Sequence, residues 1–264
     1  MRFVYLTKTL RGLDVEGLVA FCKEVGLDGA DLAVRPGYPV APANAATALP
    51  AAAKAFRGAG LSVGLVTAPT DLTDPEGKPA RALFEACAKA EVPAVKVGYF
   101  AYRPPFEQRL KEARARLEGF ARLAERTKVR ACYHTHSGAY LGNNAAGLRL
   151  LLAGLDPHHV GAFVDTGHTA VNGGPLRMEL DVVRPWLSLL AIKDMLWEKG
   201  RAGWRYRVVP AGQGIVRWPE VGRAVKESRF NGTVSLHGEY EAKDLDERKQ
   251  LARRELELLK KQLV

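Results

Sequence analysis

Gly161-Ala-Phe-Val-Asp-Thr-Gly-His168 is the stretch on which the reading of this chain turns. A mostly apolar run leads straight into Asp165, a Thr-Gly turn follows, and His168 closes it. The run has the character of a strand buried on both faces. A carboxylate and an imidazole at the mouth of such a strand are costly unless metal, substrate or hydrogen bonds satisfy them. Three other segments share the layout: Val129-Arg-Ala-Cys-Tyr-His134-Thr-His136, Leu189-Leu-Ala-Ile-Lys193-Asp194 and Val234-Ser-Leu-His237-Gly-Glu239. Four strands that all end in chemistry point to one shared site.

Working outward, apolar strands alternate with helical stretches along the whole chain. Strands are expected at Arg2–Leu6, Asp28–Val34, Leu61–Ala68, Pro93–Tyr99, Val129–Thr135, Val160–Val164, Leu187–Ile192 and Thr233–Leu236. Helices are expected at Val15–Val25 with Asp14 as N-cap, at about Ala43–Arg57, and at Pro79–Ala90, Pro105–Arg126 and Asn143–Ala153. Others follow within Pro175–Pro185, at Pro219–Ser228 and at Leu245–Leu263, which Asp244 can cap. Trp197–Gln213 is an insertion rich in Gly, Arg and aromatic residues. Strict alternation with right-handed crossovers makes a parallel sheet. Eight repeats in 264 residues, near the roughly 250 typical of the closed form, favour a single-domain α/β fold, a (β/α)8 TIM barrel. No Gly-rich phosphate loop follows the first strand, which argues against a doubly wound nucleotide binder.

The bulk properties narrow the class further. No apolar run reaches the roughly 18 residues of a membrane span, and the N-terminus is too short for a signal peptide. Cys22, Cys87 and Cys132 form no CxxC pair, which fits a reduced, cytoplasmic protein. The formal net charge is +10. Its basic residues lie mostly on amphipathic helices such as Arg109–Arg126, interleaved with Glu, so solvated faces account for most of it and steering of anionic substrates for some. Nucleic acid is not the expected partner.

In a barrel of this kind the active site lies at the C-terminal ends of the strands. There the polar strand-end residues converge: Arg35, Lys96, His134, His136, Asp165, His168, Lys193, Asp194, His237 and Glu239. His134 and His136 are two apart, so both can point into the mouth, and the same holds for His237 and Glu239. Imidazoles and carboxylates from neighbouring strands suit a divalent first-row metal. Lys96 within an apolar strand needs a carboxylate or an anionic substrate. Arg35 before Pro-Gly can present its fork to a carboxylate or phosphate, or form a structural salt bridge. Lys193-Asp194 reads either as an ion pair fixing its loop or as a substrate contact. Trp197, Trp204 and Tyr206 either cover the site or pack the insertion. His158 and His159 precede the sixth strand, at the opposite end.

The chain resembles the xylose isomerase-like TIM-barrel superfamily of sugar phosphate isomerases and epimerases. The resemblance rests on Gly29-Ala-Asp-Leu-Ala-Val-Arg-Pro-Gly37, Tyr133-His-Thr-His-Ser-Gly138 and Val164-Asp-Thr-Gly-His168, and on Ile192-Lys-Asp194, Pro210-Ala-Gly-Gln-Gly-Ile-Val-Arg-Trp218 and Ser235-Leu-His-Gly-Glu-Tyr240. It implies one divalent metal held by Glu, Asp, His and Glu at the ends of strands five to eight. Carried over, these positions fall on His134, Asp165, Ala191 and His237, so only Asp165 matches in kind and Ala191 cannot coordinate. The implied function is an isomerase or epimerase acting by proton transfer on a small polyhydroxy carbonyl substrate. His134, Asp165 and His237 would hold Mn, Zn, Fe or Co. Glu239, Lys193 and His136 would be the catalytic groups, and Arg35, Lys96, His168 and Asp194 the substrate contacts. The alternatives are a lyase, such as a keto-inositol dehydratase, and a sugar-binding barrel that has lost the metal. A homodimer is left open.

Overall fold

The computed structural model describes residues 1–263. Its strands are β1 (Arg2–Leu6), β2 (Gly29–Ala33), β3 (Ser62–Thr67), β4 (Ala94–Lys96), β5 (Arg130–His134), β6 (Val160–Asp165), β7 (Leu187–Ile192), β8 (Asp194–Gly200), β9 (Gly203–Val209) and β10 (Thr233–Leu236). The α-helices are α1 (Val15–Val25), α2 (Ala45–Gly58), α3 (Lys78–Ala90), α4 (Phe106–Thr127), α5 (Ala145–Leu152), α6 (Thr166–Asn172), α7 (Leu176–Val182), α8 (Trp218–Ser228) and α9 (Leu245–Leu263).

Eight strands close into one barrel in the order β1-β10-β7-β6-β5-β4-β3-β2, and all neighbours are parallel. This is the (β/α)8 barrel that the alternation predicts. Local chemistry sets the ends of two of the helices. Asp14 caps α1 by accepting from the Gly17 N–H at 2.8 Å, and Gly26 ends it in the left-handed conformation with φ 85°. Asn144 caps α5 in the same manner through the Gly147 N–H.

The apolar residues divide into two cores. The larger lies between strands and helices and takes one face of every long helix. The smaller fills the barrel interior with Val4, Leu65, Ala94, Cys132, Phe163, Leu189 and Ala191. This inner plug forms the floor beneath the C-terminal mouth. All three cysteines are buried and unpaired. Among the described residues, no helix is long and apolar enough to cross a membrane.

Two features depart from the sequence reading. The Trp197–Gln213 insertion begins earlier and is a hairpin, with β8 and β9 antiparallel from Asp194↔Val209 to Gly200↔Gly203. It stands outside the barrel, because both of its strands pair only with each other. A short helix, α6, also starts at Thr166 where no helix was expected, directly after Asp165. It is about two turns long and too short for its periodicity to register.

Leu65 is fully buried in the inner plug. Leu65→Ala is expected to destabilise the fold by about 2–5 kcal/mol. Urea unfolding should show a lower midpoint at unchanged slope.

Candidate active site

Asp165 ends β6 and at the same time caps α6. Its Oδ1 accepts from the His168 N–H at 2.9 Å, while its backbone N–H donates to Thr135 Oγ1 at 3.0 Å. Its Oδ2 is left facing the barrel axis. Around that oxygen stand His134 Nε2 at 3.3 Å, His237 Nδ1 at 3.7 Å and Lys193 Nζ at 3.8 Å. His134, Asp165 and His237 are all buried, with one potential ligand atom from each within 4.8 Å of the others.

Three atoms of this cluster are buried without a hydrogen-bond partner: His134 Nε2, Asp165 Oδ2 and His237 Nε2. Orphaned polar atoms of this kind are rare in a folded protein and need an occupant. The donor set, two imidazoles and one carboxylate, suits a divalent first-row cation. The surroundings fit as well. His134 Nδ1 is engaged by the Tyr99 hydroxyl at 3.1 Å, which orients the ring with Nε2 inward. Burial, and then the positive charge of His237, Lys96 and Lys193, pushes the His134 pKa well below its ordinary value, so the imidazole is neutral, the form that ligates. Burial works against the Asp165 carboxylate, but His168, Lys193 and His237 prevail and hold its pKa below the ordinary value.

Beside the cluster lies a chain of opposite charges. Lys193 Nζ is 2.5 Å from Glu239 Oε2, and Lys8 pairs with the other carboxylate oxygen. Burial alone would lower the Lys193 pKa, but Asp165 and Glu239 raise it, so it is an ammonium. Burial alone would raise the Glu239 pKa, but Lys193, His237 and Lys8 hold it well below the usual carboxylate range.

His168 is buried behind Lys193 and His136. Its Nδ1 faces Ser137, whose Oγ is 2.8 Å and whose backbone N is 3.2 Å away, and its other ring nitrogen, Nε2, faces Lys193. That nitrogen is 3.3 Å from Lys193 Nζ. Burial pushes its pKa well below the ordinary value, and a neutral ring can accept from the Lys193 ammonium through Nε2. His136 stacks on His168 with centroids 3.9 Å apart, and its Nδ1 donates to the Ser137 carbonyl at 2.8 Å. Its Nε2 therefore carries the free lone pair.

The cavity enclosed by these groups has a volume of about 80 Å³ and is lined by Lys8, Arg35, Lys96, Tyr99, His134, His136, Lys193, His237 and Glu239, with Thr67, Thr70, Phe163 and Leu6. Ligand sites commonly run to roughly 300–1,000 Å³. The cavity is smaller than that, and the Lys8–Glu239 pair is part of its lining. A larger pocket of about 510 Å³ lies next to it and shares Thr70 and Tyr99.

The mouth thus brings together Arg35, Lys96, His134, His136, Lys193, His237 and Glu239, with Asp165 and His168 directly behind. Asp194 is the exception. Its carboxylate accepts from the Met195, Gly212, Gly214 and Val216 N–H groups and from Trp218 Nε1, at 2.9–3.2 Å. Five protein donors leave it no capacity for substrate, so it is a pin for the loop that follows the hairpin rather than a substrate contact, and it forms no ion pair with Lys193. Gly214 is required there, since a Cβ would meet Asp194 Oδ1 at 2.2 Å. On the hairpin, Tyr206 lies edge-on to His168 with centroids 6.4 Å apart, whereas Trp204 is 67% exposed. His158 is exposed and bonded to Asp156.

Sequence reasoning passed over Asp31, Tyr99 and Lys8. Asp31 lies within β2, fully buried, and accepts from Thr67 Oγ1 at 2.7 Å and Ser235 Oγ at 2.8 Å, with His237 Nε2 3.6 Å away. A carboxylate inside an apolar strand was its signal. Tyr99 and Lys8 carried none, since a strand-end tyrosine and a surface-type lysine are ordinary.

A closed parallel barrel with a His-Asp-His cluster at its C-terminal mouth defines a class, and comparison narrows it. The family profile for the xylose isomerase-like TIM barrel matches residues 19–262, and the chain belongs to that family. No curated protein matches it by sequence. Among solved structures it is similar to the IolI protein with a bound zinc atom, at TM-score 0.79 and 16% identity over 99% of both chains. It is similar to D-psicose 3-epimerase from Clostridium cellulolyticum H10, at TM-score 0.78 and 14% identity over 100% of this chain and 99% of that one. A third similar structure is the probable 3-DHS dehydratase AsbF from Bacillus anthracis, at TM-score 0.76 and 16% identity over 98% and 99%.

Two stability outcomes follow. Asp194→Ala orphans five donors and should cost about 3 kcal/mol or more in urea unfolding. A loss below about 1 kcal/mol would mean that the loop is held by something else. Lys96 behaves oppositely. Burial and Arg35 push its pKa well below the ordinary value. The folded state then binds this proton less tightly than the unfolded chain does, so the penalty is full below the folded pKa and fades as pH rises toward about 10.4. Lys96→Met should therefore raise stability by about 1–2 kcal/mol near neutral pH, with the gain lost above pH ~10.

Proposed function

We propose that this protein is an isomerase or epimerase that moves a proton on a carbon next to a carbonyl, in a small polyhydroxy substrate. The observation that supports this best is the adjacency of an unsatisfied His134-Asp165-His237 cluster to the Lys193–Glu239 pair. His134, Asp165 and His237 would hold one divalent metal. Such a cation supplies positive charge that polarises the substrate's carbonyl and hydroxyl oxygens.

The remaining work falls to the chain's own groups. Glu239 is the base. Braced by Lys8 and Lys193 it is a weak one, and Lys8, which is about half exposed, is the partner that an entering substrate displaces. Release of one ammonium raises the carboxylate's proton affinity toward the value proton transfer needs. Lys193 stays charged and stabilises negative charge that develops on the substrate oxygen. His136 also lines the cavity, with Nε2 free. Burial lowers its pKa, so once protonated it gives the proton up readily. Two proton-transferring groups on different sides of one carbon are what inversion at that carbon requires.

A second reading is a lyase. The Lys193 ammonium within hydrogen-bond reach of Glu239 could equally protonate a departing hydroxyl, and the similar AsbF structure is described as a probable dehydratase. Both reactions wash solvent deuterium into the substrate, but only the lyase releases water.

Protein purified without chelator should carry about one equivalent of metal per chain. Asp165→Ala and His237→Ala should each lose most of it, and unchanged content in both would overturn the assignment. Glu239→Gln should retain metal but lower kcat/KM for solvent exchange by about 10²–10⁴.

A further inference from the structure

The barrel mouth has two unlike halves. β5, β6, β7 and β10 carry His134, Asp165, Lys193 and His237, where the ammonium is met by carboxylates. β2, β3 and β4, consecutive on the other side of the barrel, bring Arg35 just after β2, Thr67 and Lys96 to the same cavity. Among the described residues neither Arg35 nor Lys96 forms an ion pair. Lys96 is 3% exposed, and its Nζ lies 3.4 Å from the centroid of the Tyr99 ring, a partner that compensates an ammonium less than a carboxylate does. Arg35 Nε is buried without a hydrogen-bond partner. The carboxylate on this side, Asp31, is taken up by Thr67 and Ser235. Lys8 and Lys193 are committed to Glu239. A buried amine and a half-buried guanidinium that face a common cavity without counter-charge are costly unless a ligand supplies it.

We propose that Arg35 and Lys96 form an anion subsite, and that the substrate carries a carboxylate or phosphate group at the end remote from its reacting carbons. This rests on the reading of the opposite half as the reacting end. The substrate would span the mouth, with its carbonyl toward His134, Asp165 and His237 and its charge toward β2 and β4. Arg35 offers a planar fork and Lys96 a point charge, a combination suited to oxyanions of either kind. The same arrangement leaves a neutral sugar with nothing to balance the two cations.

The test is titration calorimetry at constant ionic strength with D-fructose, D-fructose 6-phosphate and D-tagaturonate, on protein purified without chelator. At least one charged ketose should bind about tenfold or more tightly than D-fructose. Inorganic phosphate competes with the phosphate ester if that is the preferred form, and leaves the carboxylate form less affected. Lys96→Met and Arg35→Gln should each remove most of the preference while D-fructose binding stays within about twofold. Equal binding of all three ketoses, or a preference that survives both substitutions, overturns the subsite. Solvent exchange at the carbon next to the carbonyl, followed in the same samples, separates the two readings. Exchange without charge preference removes the subsite and keeps the reaction. Charge preference without exchange keeps the subsite and removes the reaction.

Discussion

The site depends on how the Asp165 carboxylate is divided. One oxygen is bound by the first turn of α6 and the other is held at the barrel axis without a hydrogen-bond partner. The cap fixes the rotamer, so the free oxygen cannot turn away to find a donor. A buried oxygen so constrained must be met by positive charge, and everything around it answers that need: Lys193 directly, and His134 and His237 as groups able to share a cation. Without the cap, the carboxylate would relax toward the nearest N–H and the cluster would lose its centre. The unexpected short helix after β6 is therefore part of the site.

The same constraint accounts for how charge is distributed in the mouth. Glu239 faces Lys193 and Lys8, and Asp31 is dispersed over two hydroxyls. Each carboxylate is answered, whereas the positive side chains outnumber the negative ones, and the surplus falls on Arg35 and Lys96. A stability-optimised barrel would place apolar residues there. Retaining two uncompensated cations at a buried mouth trades folding free energy for recognition.

Set against the ligand set that the family resemblance implies, this site differs at three of four positions. Ala191 lies in the inner plug at the level of Asp165 and Ser235. It offers no ligand from β7, and Lys193 follows just after the end of that strand. His134 and His237 stand where the resemblance implies acidic groups. Together these changes make the donor set less negative, which fits a mouth arranged for an anionic substrate.

Sequence alone determined the barrel and its strands, because burial on both faces forces near-continuous apolar runs whose ends are marked by polar residues. It also placed His134, Asp165, Lys193 and His237 at one end of the barrel, since strands in parallel share their direction. It did not show that Asp194, unlike Lys193, is held by its own loop, because adjacent strand-end residues carry the same local signal. Only the tertiary structure decided that Asp194 is consumed by its own loop, that Asp194–Val209 forms a hairpin outside the barrel sheet, and that Lys8, Asp31 and Tyr99 belong to the site. Those outcomes depend on contacts between residues up to 231 positions apart, as in Lys8–Glu239. No local periodicity or composition encodes such contacts. They exist because closing the barrel brings β1 against β10.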